Sequence, residues 1–373
     1  MVAPHELFVS CAPGLEPLLA RELSSLGALS VEAVSGGVRC HGHRALVCEA
    51  NLRSGLASHV LVRVGRFYAT RFSVLERELG ELPFERFLTR GVPRSYRITA
   101  RKSKLIHTGA IAERVARAVA KRLGDQFADP DAEGVPVQLR LSRDQVEVSI
   151  DTSGEPLHRR GYRLDPGKAP LREDLAHALV VASGWAGEGA LVDPLCGSGT
   201  IPIEAAMKAR GIAPGRNRSF TFEQTELLHP PTWARLREEA DARVVDGPPI
   251  LASDIAPAAV EAARANAERA GVTLALSTAP LSEAAMPETP GAALVTDPPH
   301  GRRLRGDAGP LYAALGRRID ALPADAAVAF FTAVDRKKPE RLAKGLSSAF
   351  VTTAGGMKLR AMVRGRSSQS SSA

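Results

Sequence analysis

Residues 296–304 read Thr-Asp-Pro-Pro-His-Gly-Arg-Arg-Leu and follow the apolar run Ala-Ala-Leu-Val. Prolines fix φ and cannot donate to a sheet ladder, so Pro298 and Pro299 end a strand sharply and hold the neighbouring carbonyls in place. Such a turn offers a pair of acceptors, the Asp297 carboxylate and the Pro298 carbonyl. Together they can take the two N–H groups of an exocyclic amine on a nucleic-acid base and localise its lone pair for attack on an electrophilic methyl. The attack is in line, so it needs positioning more than a strong base. His300, the residue after the prolines, is expected to stack on the base once that base is swung out of its helix, with a smaller face than Tyr or Phe would offer.

A second constellation precedes this one. "GALVDPLCGSGTIPIEAAMKARG" carries an apolar strand ending in Asp193, a turn through Cys196, Gly197, Ser198 and Gly199, and a helix entered at about Thr200. Glycines let backbone approach a ligand closely, and the helix N-terminus favours a carboxylate. "PPILASDIAPAAVEAARANAERAGV" then gives a strand ending in Asp254, with Ile255 next to it, Pro257 in the first turn of a helix, and Gly271 as its stop. An acid at the end of the second strand of a parallel sheet is placed to accept hydrogen bonds from ribose hydroxyls. A nicotinamide-binding turn shares this physics but wants a third glycine at the helix start, where Thr200 and Ile201 stand.

Positioning these residues requires strands that alternate with helices, and residues 170–335 do alternate in that way, as in a doubly wound α/β sheet. "AVAFFT" and a closing hairpin, "SAFVTTAGGMKLRAMV" through Gly355 and Gly356, supply the last strands. The first half reads differently. "TGAIAERVARAVAKRLG" spaces Ile111, Val115, Val119 and Leu123 four apart as one buried helix face, with Arg114, Arg117 and Lys121 outside it. Val137, Leu139 and Leu141, then Val146, Val148 and Ile150, alternate with polar residues across a short turn, which predicts a hairpin with one buried face. Upstream, "RSYRITARKSKLIHTG" gathers Arg94, Arg97, Arg101, Lys102 and Lys104 without an acid, beside the start of a helix. This pattern suits phosphate, although a merely solvated face has the same composition.

The 373 residues, 44% hydrophobic, suffice for more than one core. The chain holds no apolar run of membrane-spanning length and no signal-peptide pattern, and its four cysteines lack metal or disulfide spacing, so a cytoplasmic protein without metal or membrane attachment is expected. A net charge of +8 and a pI near 9.6 lean towards a polyanionic partner. The expected organisation is residues 1–155, a Gly-, Pro- and Arg-rich linker at 156–170, a second domain at 171–365, and a low-complexity disordered tail at 366–373.

Taken together, the glycine turn, the Asp254 strand end, the Asp-Pro-Pro-His loop, "GEPLHRRGYR" with "APLRE", and "IAPGRNRSFTFE" resemble the THUMP-domain class I RNA methyltransferases that modify guanine N2. The likeness runs over nearly the whole chain. "FVSCAPGLEPLLARELSSLGA", "SGGVRCHG" and "ANLRSGLASHVLVRV" resemble the ferredoxin-like part that accompanies the THUMP domain in that family. The resemblance implies an α+β ferredoxin-like and THUMP region followed by a Rossmann-like domain with a seven-stranded, mostly parallel sheet. It also implies S-adenosylmethionine over Asp193, Cys196, Gly197, Ser198, Gly199 and Thr200, with its ribose at Asp254. Asp297, Pro298, Pro299 and His300 would be the catalytic loop, Arg302 and Arg303 would follow it towards phosphate, and a monomer would hold structured ribosomal or transfer RNA.

Two positions depart from the family pattern. His300 replaces an aromatic residue, which bears on rate and substrate choice. The third strand, "GVTLALSTAPLSEAA", lacks the acid that usually meets the adenine amine, leaving Ser277 or Thr278 as weak substitutes. A catalytically weak or silent RNA-binding protein therefore stays open as an alternative, as does an adenine-N6 methyltransferase. A protein glutamine amide fits the proline loop but not the basic first half.

Overall fold

The computed structural model describes residues 4–126, 133–163, 171–286, 290–300, 309–335 and 339–365. The expected tail at 366–373 and part of the expected linker, residues 164–170, lie outside the described residues. The chain forms two compact units. One comprises the chain up to Cys11, Leu19–Leu157 and Arg218–Glu238; the other comprises Ala12–Leu18, His158–Asn217 and the chain from Glu239 onward.

In the first unit the elements run β1 (His5–Cys11), α1 (Glu16–Ser25), β2 (Leu29–Val34), β3 (Gly37–Gly42), α2 (Arg44–Arg53), β4 (Ala57–Tyr68), α3 (Phe72–Glu81), β5 (Arg94–Arg101), α4 (Thr108–Leu123), β6 (Val135–Ser142) and β7 (Gln145–Asp151). The seven strands form one sheet in the order β2-β3-β1-β4-β7-β6-β5, antiparallel except for the β5–β6 pair. Side chains alternate across a strand, so Leu7, Val9, Val60, Val62, Val137, Leu139, Val148 and Ile150 all turn to one face and are buried there. α4 lies over this apolar face through Ile111, Val115 and Val119, which are fully buried. The β6–β7 hairpin closes through Arg143 (φ 51°) and Asp144 (φ 63°) with Ser142 opposite Gln145, the left-handed pair that two-residue hairpins favour.

Arg218–Glu238 belongs to this unit although it lies far along the sequence. Its Phe222 is fully buried and stacks on Phe220 at 5.6 Å, with Trp233 edge-on to both. The Phe222 amide donates to the Thr152 carbonyl, and Leu88 bridges Thr225. An aromatic cluster of this size buries too much apolar surface to remain a solvated loop. No single cut near residue 155 therefore separates the two units.

The second unit continues with α5 (Glu173–Ala182), β8 (Leu191–Asp193), α6 (Thr200–Ala209), β9 (Ile250–Asp254), α8 (Pro257–Ala270), β10 (Ala275–Thr278), β11 (Ala293–Thr296), α9 (Gly309–Asp320), β12 (Ala327–Ala333), β13 (Ser347–Ala354) and β14 (Met357–Arg364), with α7 (Pro230–Ala242) entering it before β9. Its sheet has the order β10-β9-β8-β11-β12-β14-β13, and only β14 runs against the rest. This is the α/β, mostly parallel seven-stranded architecture expected from the sequence. Strands buried on both faces read as continuous apolar runs, and the fully buried Val328–Phe331 of β12 is such a run. α6 and α8 cover β8 and β9. The other face is closed by α9, whose Tyr312, Leu315 and Ile319 pack with Leu294, Val328 and Phe330.

Candidate active site

Strand order reverses between β8 and β11, and ligands of open parallel sheets bind in the crevice outside the carboxyl ends at such a switch point. Asp193 ends β8, Asp254 ends β9, and Asp297 follows the last residue of β11. The topology thus gathers the three acids that the sequence spaces over a hundred residues.

The turn after β8 is held at both ends. Gly197 (φ 51°) and Gly199 (φ 85°) are left-handed, for different reasons. A Cβ at Gly199 would lie 2.9 Å from the Ala263 Cβ on α8, whereas a Cβ at Gly197 meets nothing within 4 Å and would project into open space. Gly199 is therefore needed for helix packing and Gly197 for access. The Gly197 amide donates to Asp254 Oδ2 at 3.0 Å and the Ala256 amide to Asp254 Oδ1 at 2.9 Å, so the carboxylate joins the glycine turn to the end of β9. Ile255 beside it is 71% exposed, an apolar side chain left in solvent rather than buried. Cys196 is buried; desolvation raises its thiol pKa, with Asp193 and Asp254 adding to the effect, so it stays protonated and is no nucleophile.

Asp193 is 1% exposed. Its Oδ1 accepts from the Thr296 hydroxyl at 2.6 Å and from the Leu195 amide at 3.1 Å. Burial pushes its pKa up to about 7, the two hydrogen bonds oppose that, and the charges of Asp297 and Asp254 add to it. Thr296 thereby links the end of β11 to the end of β8.

The proline loop itself is compact. His300 is 6% exposed, and its Nδ1 lies 2.9 Å from the Pro298 carbonyl and 3.5 Å from Asp297 Oδ1. A carbonyl only accepts, so Nδ1 carries the proton. The ring that was expected to offer its face to a base is instead folded onto the acceptor assigned to the incoming amine. Tyr or Phe has no ring nitrogen to make this bond, and a buried imidazole must satisfy one. Arg302 and Arg303 lie outside the described residues.

Three residues that the sequence did not single out stiffen the glycine turn. Asn266, fully buried on α8, donates from Nδ2 to the Ser198 carbonyl at 2.9 Å, and Arg269 Nη2 donates to Asn266 Oδ1 at 2.6 Å. Arg163 Nη2 donates to the Thr200 hydroxyl at 2.9 Å and pairs with Glu173 at 3.3 Å. The available signal was an Asn on the face that buries Val260, Ala263, Ala267 and Ala270. On the third strand, Thr278 is in register with Asp254 at the carboxyl end, and no acid stands among the β10 residues.

In the first unit the basic stretch divides. Arg94 is a correction: it is 8% exposed, donates to Asp125 Oδ2 at 2.6 Å and to the Thr89 carbonyl at 2.9 Å, and so braces the interior because the first residue of β5 turns inward. Arg97, Arg101, Lys102 and Lys104 are exposed. Arg143, from the β6–β7 turn, joins this exposed set, its amide donating to the Arg101 carbonyl at 3.2 Å. Asp144 ties the same corner, accepting from the Lys104 amide at 2.6 Å and donating its own amide to the Ser103 hydroxyl at 3.0 Å.

Comparison with known proteins bears on this arrangement. The model of the RMKL-like methyltransferase domain matches residues 160–357, which hold all three acids and the glycine turn. The chain belongs to that family. The RlmL ferredoxin-like domain matches residues 6–61, spanning β1 to the start of β4. The ribosomal RNA large subunit methyltransferase K/L of Syntrophotalea carbinolica is 37% identical over 340 residues, 86% of this chain and 48% of that protein, so the chain spans about half the length of the curated relative it matches. Among solved structures, SMU.472 complexed with SAH is 28% identical with a TM-score of 0.85, covering 98% of this chain and 99% of that one. A "predicted N6-adenine-specific DNA methylase" from Listeria monocytogenes is 28% identical with a TM-score of 0.82 and 96% coverage of both chains.

Proposed function

We propose that this chain is a cytoplasmic RNA methyltransferase that modifies the exocyclic N2 amine of a guanine in ribosomal or transfer RNA, and that its first unit is a ferredoxin-like and THUMP module that holds structured RNA. The observation that carries the proposal is the placement of an acid and a proline-fixed carbonyl, Asp297 and Pro298, directly after β11, tied through Thr296 and Asp193 to the glycine turn.

The cofactor is S-adenosylmethionine. The residues present fit it: Gly197 leaves open space, Asp254 keeps carboxylate lone pairs at the strand end for hydroxyls, and Ile255 exposes an apolar surface of the kind an adenine face covers. Asp193, Cys196, Gly197, Ser198, Gly199, Thr200, Asp254 and Ile255 would hold it. When bound, it supplies an electrophilic methyl on a sulfonium. Asp297 and the Pro298 carbonyl orient the guanine amine by accepting its N–H groups, and Pro299 limits the loop's freedom while that amine is held. His300 Nδ1, 2.9 Å from the Pro298 carbonyl, competes with the amine for that acceptor.

That last contact favours one second reading, an RNA-binding protein with weak or no turnover. Nucleoside mass spectrometry of separated ribosomal and transfer RNA, from cells with and without the gene, decides between them. Loss of N2-methylguanine from one RNA class supports the proposal, loss of N6-methyladenine reassigns the amine, and an unchanged profile favours the silent protein. Asp297→Ala should abolish transfer with RNA affinity nearly intact. His300→Tyr removes the Nδ1 donor; a gain in rate marks a decayed enzyme, and a loss marks an imidazole matched to the substrate.

A further inference from the structure

The apolar face of the first unit's sheet accounts for its folding, but the opposite face carries a cavity of about 420 Å³ that packing does not explain. Phe8 and Ser10 of β1, His59 and Leu61 of β4, Arg97 of β5 and Arg140 of β6 are among its lining. Pockets of some 300–1,000 Å³ suit a ligand of nucleotide size.

The cations in this cavity are of two kinds. Arg63 is structural: its side chain is 9% exposed, lies 3.6 Å from Glu6 and 3.4 Å from Glu147, and donates to the Ser149 hydroxyl at 2.8 Å. Arg97 and Arg140 differ, with side chains 55% and 64% exposed and their nearest carboxylates among the described residues at 3.8 Å, on Asp151 and Glu147. Those distances are beyond hydrogen-bond reach, so both guanidinium forks keep donors for an incoming anion. Asp151 is fully buried. It accepts from Gln138 Nε2 and from the Ser153 amide, both at 3.0 Å, and sits 2.8 Å from His59 Nδ1. With Nδ1 facing that carboxylate, Nε2 is the ring nitrogen left for a second polar partner. Phe8, which lines the cavity, supplies the flat apolar element; its ring lies beside Gly37, where a Cβ would meet the Val9 carbonyl oxygen at 2.3 Å and the Phe8 Cζ at 2.9 Å.

We propose that this cavity binds one unpaired nucleotide of the RNA, with Arg97 and Arg140 on its phosphate, the Phe8 ring against its base, and His59 at its ribose hydroxyls. The proposal rests on the RNA reading above and deepens it. An open sheet face with an aromatic ring and flanking cations is a general way of holding single-stranded RNA, in which stacking accepts any base and the 2′-hydroxyl distinguishes RNA from DNA. The exposed Arg101, Lys102, Lys104 and Arg143 continue the track from Arg97 along β5, about 13 Å away at 3.3 Å per residue.

Fluorescence anisotropy of the full chain with a labelled single-stranded hexaribonucleotide, across a salt series, tests this. The combined Arg97→Gln and Arg140→Gln variant should bind at least tenfold more weakly at low salt, and the slope of log K against log salt should fall by about 0.7, the share of the one phosphate that the two guanidiniums neutralise together. Phe8→Leu should weaken binding about tenfold without changing that slope, and the matching deoxyribonucleotide should bind more weakly than the RNA. Unchanged affinity and slope in the Arg variant overturn the proposal, as does displacement of the RNA by hexaglutamate at equal concentration. The two readings separate cleanly. If RNA is methylated with the same KM by the Arg variant, the pocket assignment falls and the methyltransferase reading stands; if the hexamer depends on Arg97 and Arg140 while no RNA is methylated, the reverse holds.

Discussion

Asn in place of Asp193 is the substitution whose consequence can be worked furthest. The native carboxyl titrates at about 7, chiefly because it is desolvated, against 3.8 for a solvated one. Between those values the native state holds a proton that the unfolded chain has released, so stability falls as pH rises from about 4 to 7 and is level above that. At 1.36 kcal/mol per pH unit the interval amounts to about 4 kcal/mol. Asn cannot ionise, yet its Oδ1 can still accept from Thr296 and Leu195, since both donors use the one oxygen. The variant and the native protein should therefore melt together at pH 4. Above pH 7 the variant's second unit should melt on the order of 10 °C higher, at about 2–4 °C per kcal/mol for a unit of this size. Thermal melts of both proteins without cofactor, from pH 4 to pH 8, give the difference curve; every other titrating group is common to the two and cancels. A difference independent of pH, or one that opens as pH falls, would refute the account of Asp193 as a buried acid kept neutral by its surroundings.

The two glycines of the turn should separate by measurement. Gly199→Ala combines a left-handed residue, about 1–2 kcal/mol, with crowding of Ala263, about 1–3 kcal/mol, and should lower the melting temperature clearly. Gly197→Ala meets no protein atom and carries only the left-handed cost, about 1–2 kcal/mol, so it should melt a few degrees below the native protein while losing S-adenosylmethionine binding by calorimetry; intact binding would remove Gly197 from the cofactor site. Asn266→Ala removes the partner of the Ser198 carbonyl and of Arg269 Nη2 and should raise the cofactor Kd about tenfold, the worth of roughly one hydrogen bond. An unchanged Kd would show that the turn holds its shape without α8.

Much of both units was legible because the determinants are local. Prolines 298 and 299 end a strand wherever they stand, Gly271 stops α8 in a left-handed cap, and the alternation of Val137, Leu139 and Leu141 fixes which side of β6 is buried. The three acids were recognisable because each closes an apolar run. The tertiary structure alone decided which partners those residues found. Asp254 reaches Gly197 across 57 positions, Asn266 reaches Ser198 across 68, and Asp125 captures Arg94, turning a residue expected at the surface into an internal brace. The aromatic cluster of Phe220, Phe222 and Trp233 took Arg218–Glu238 into the first unit, and His300 settled on Pro298 rather than outward. Backbone dihedrals and side-chain alternation are fixed within a few residues, so sequence order carries them. A buried polar group takes whatever partner folding brings within about 3 Å, and that neighbour is a property of the packed chain.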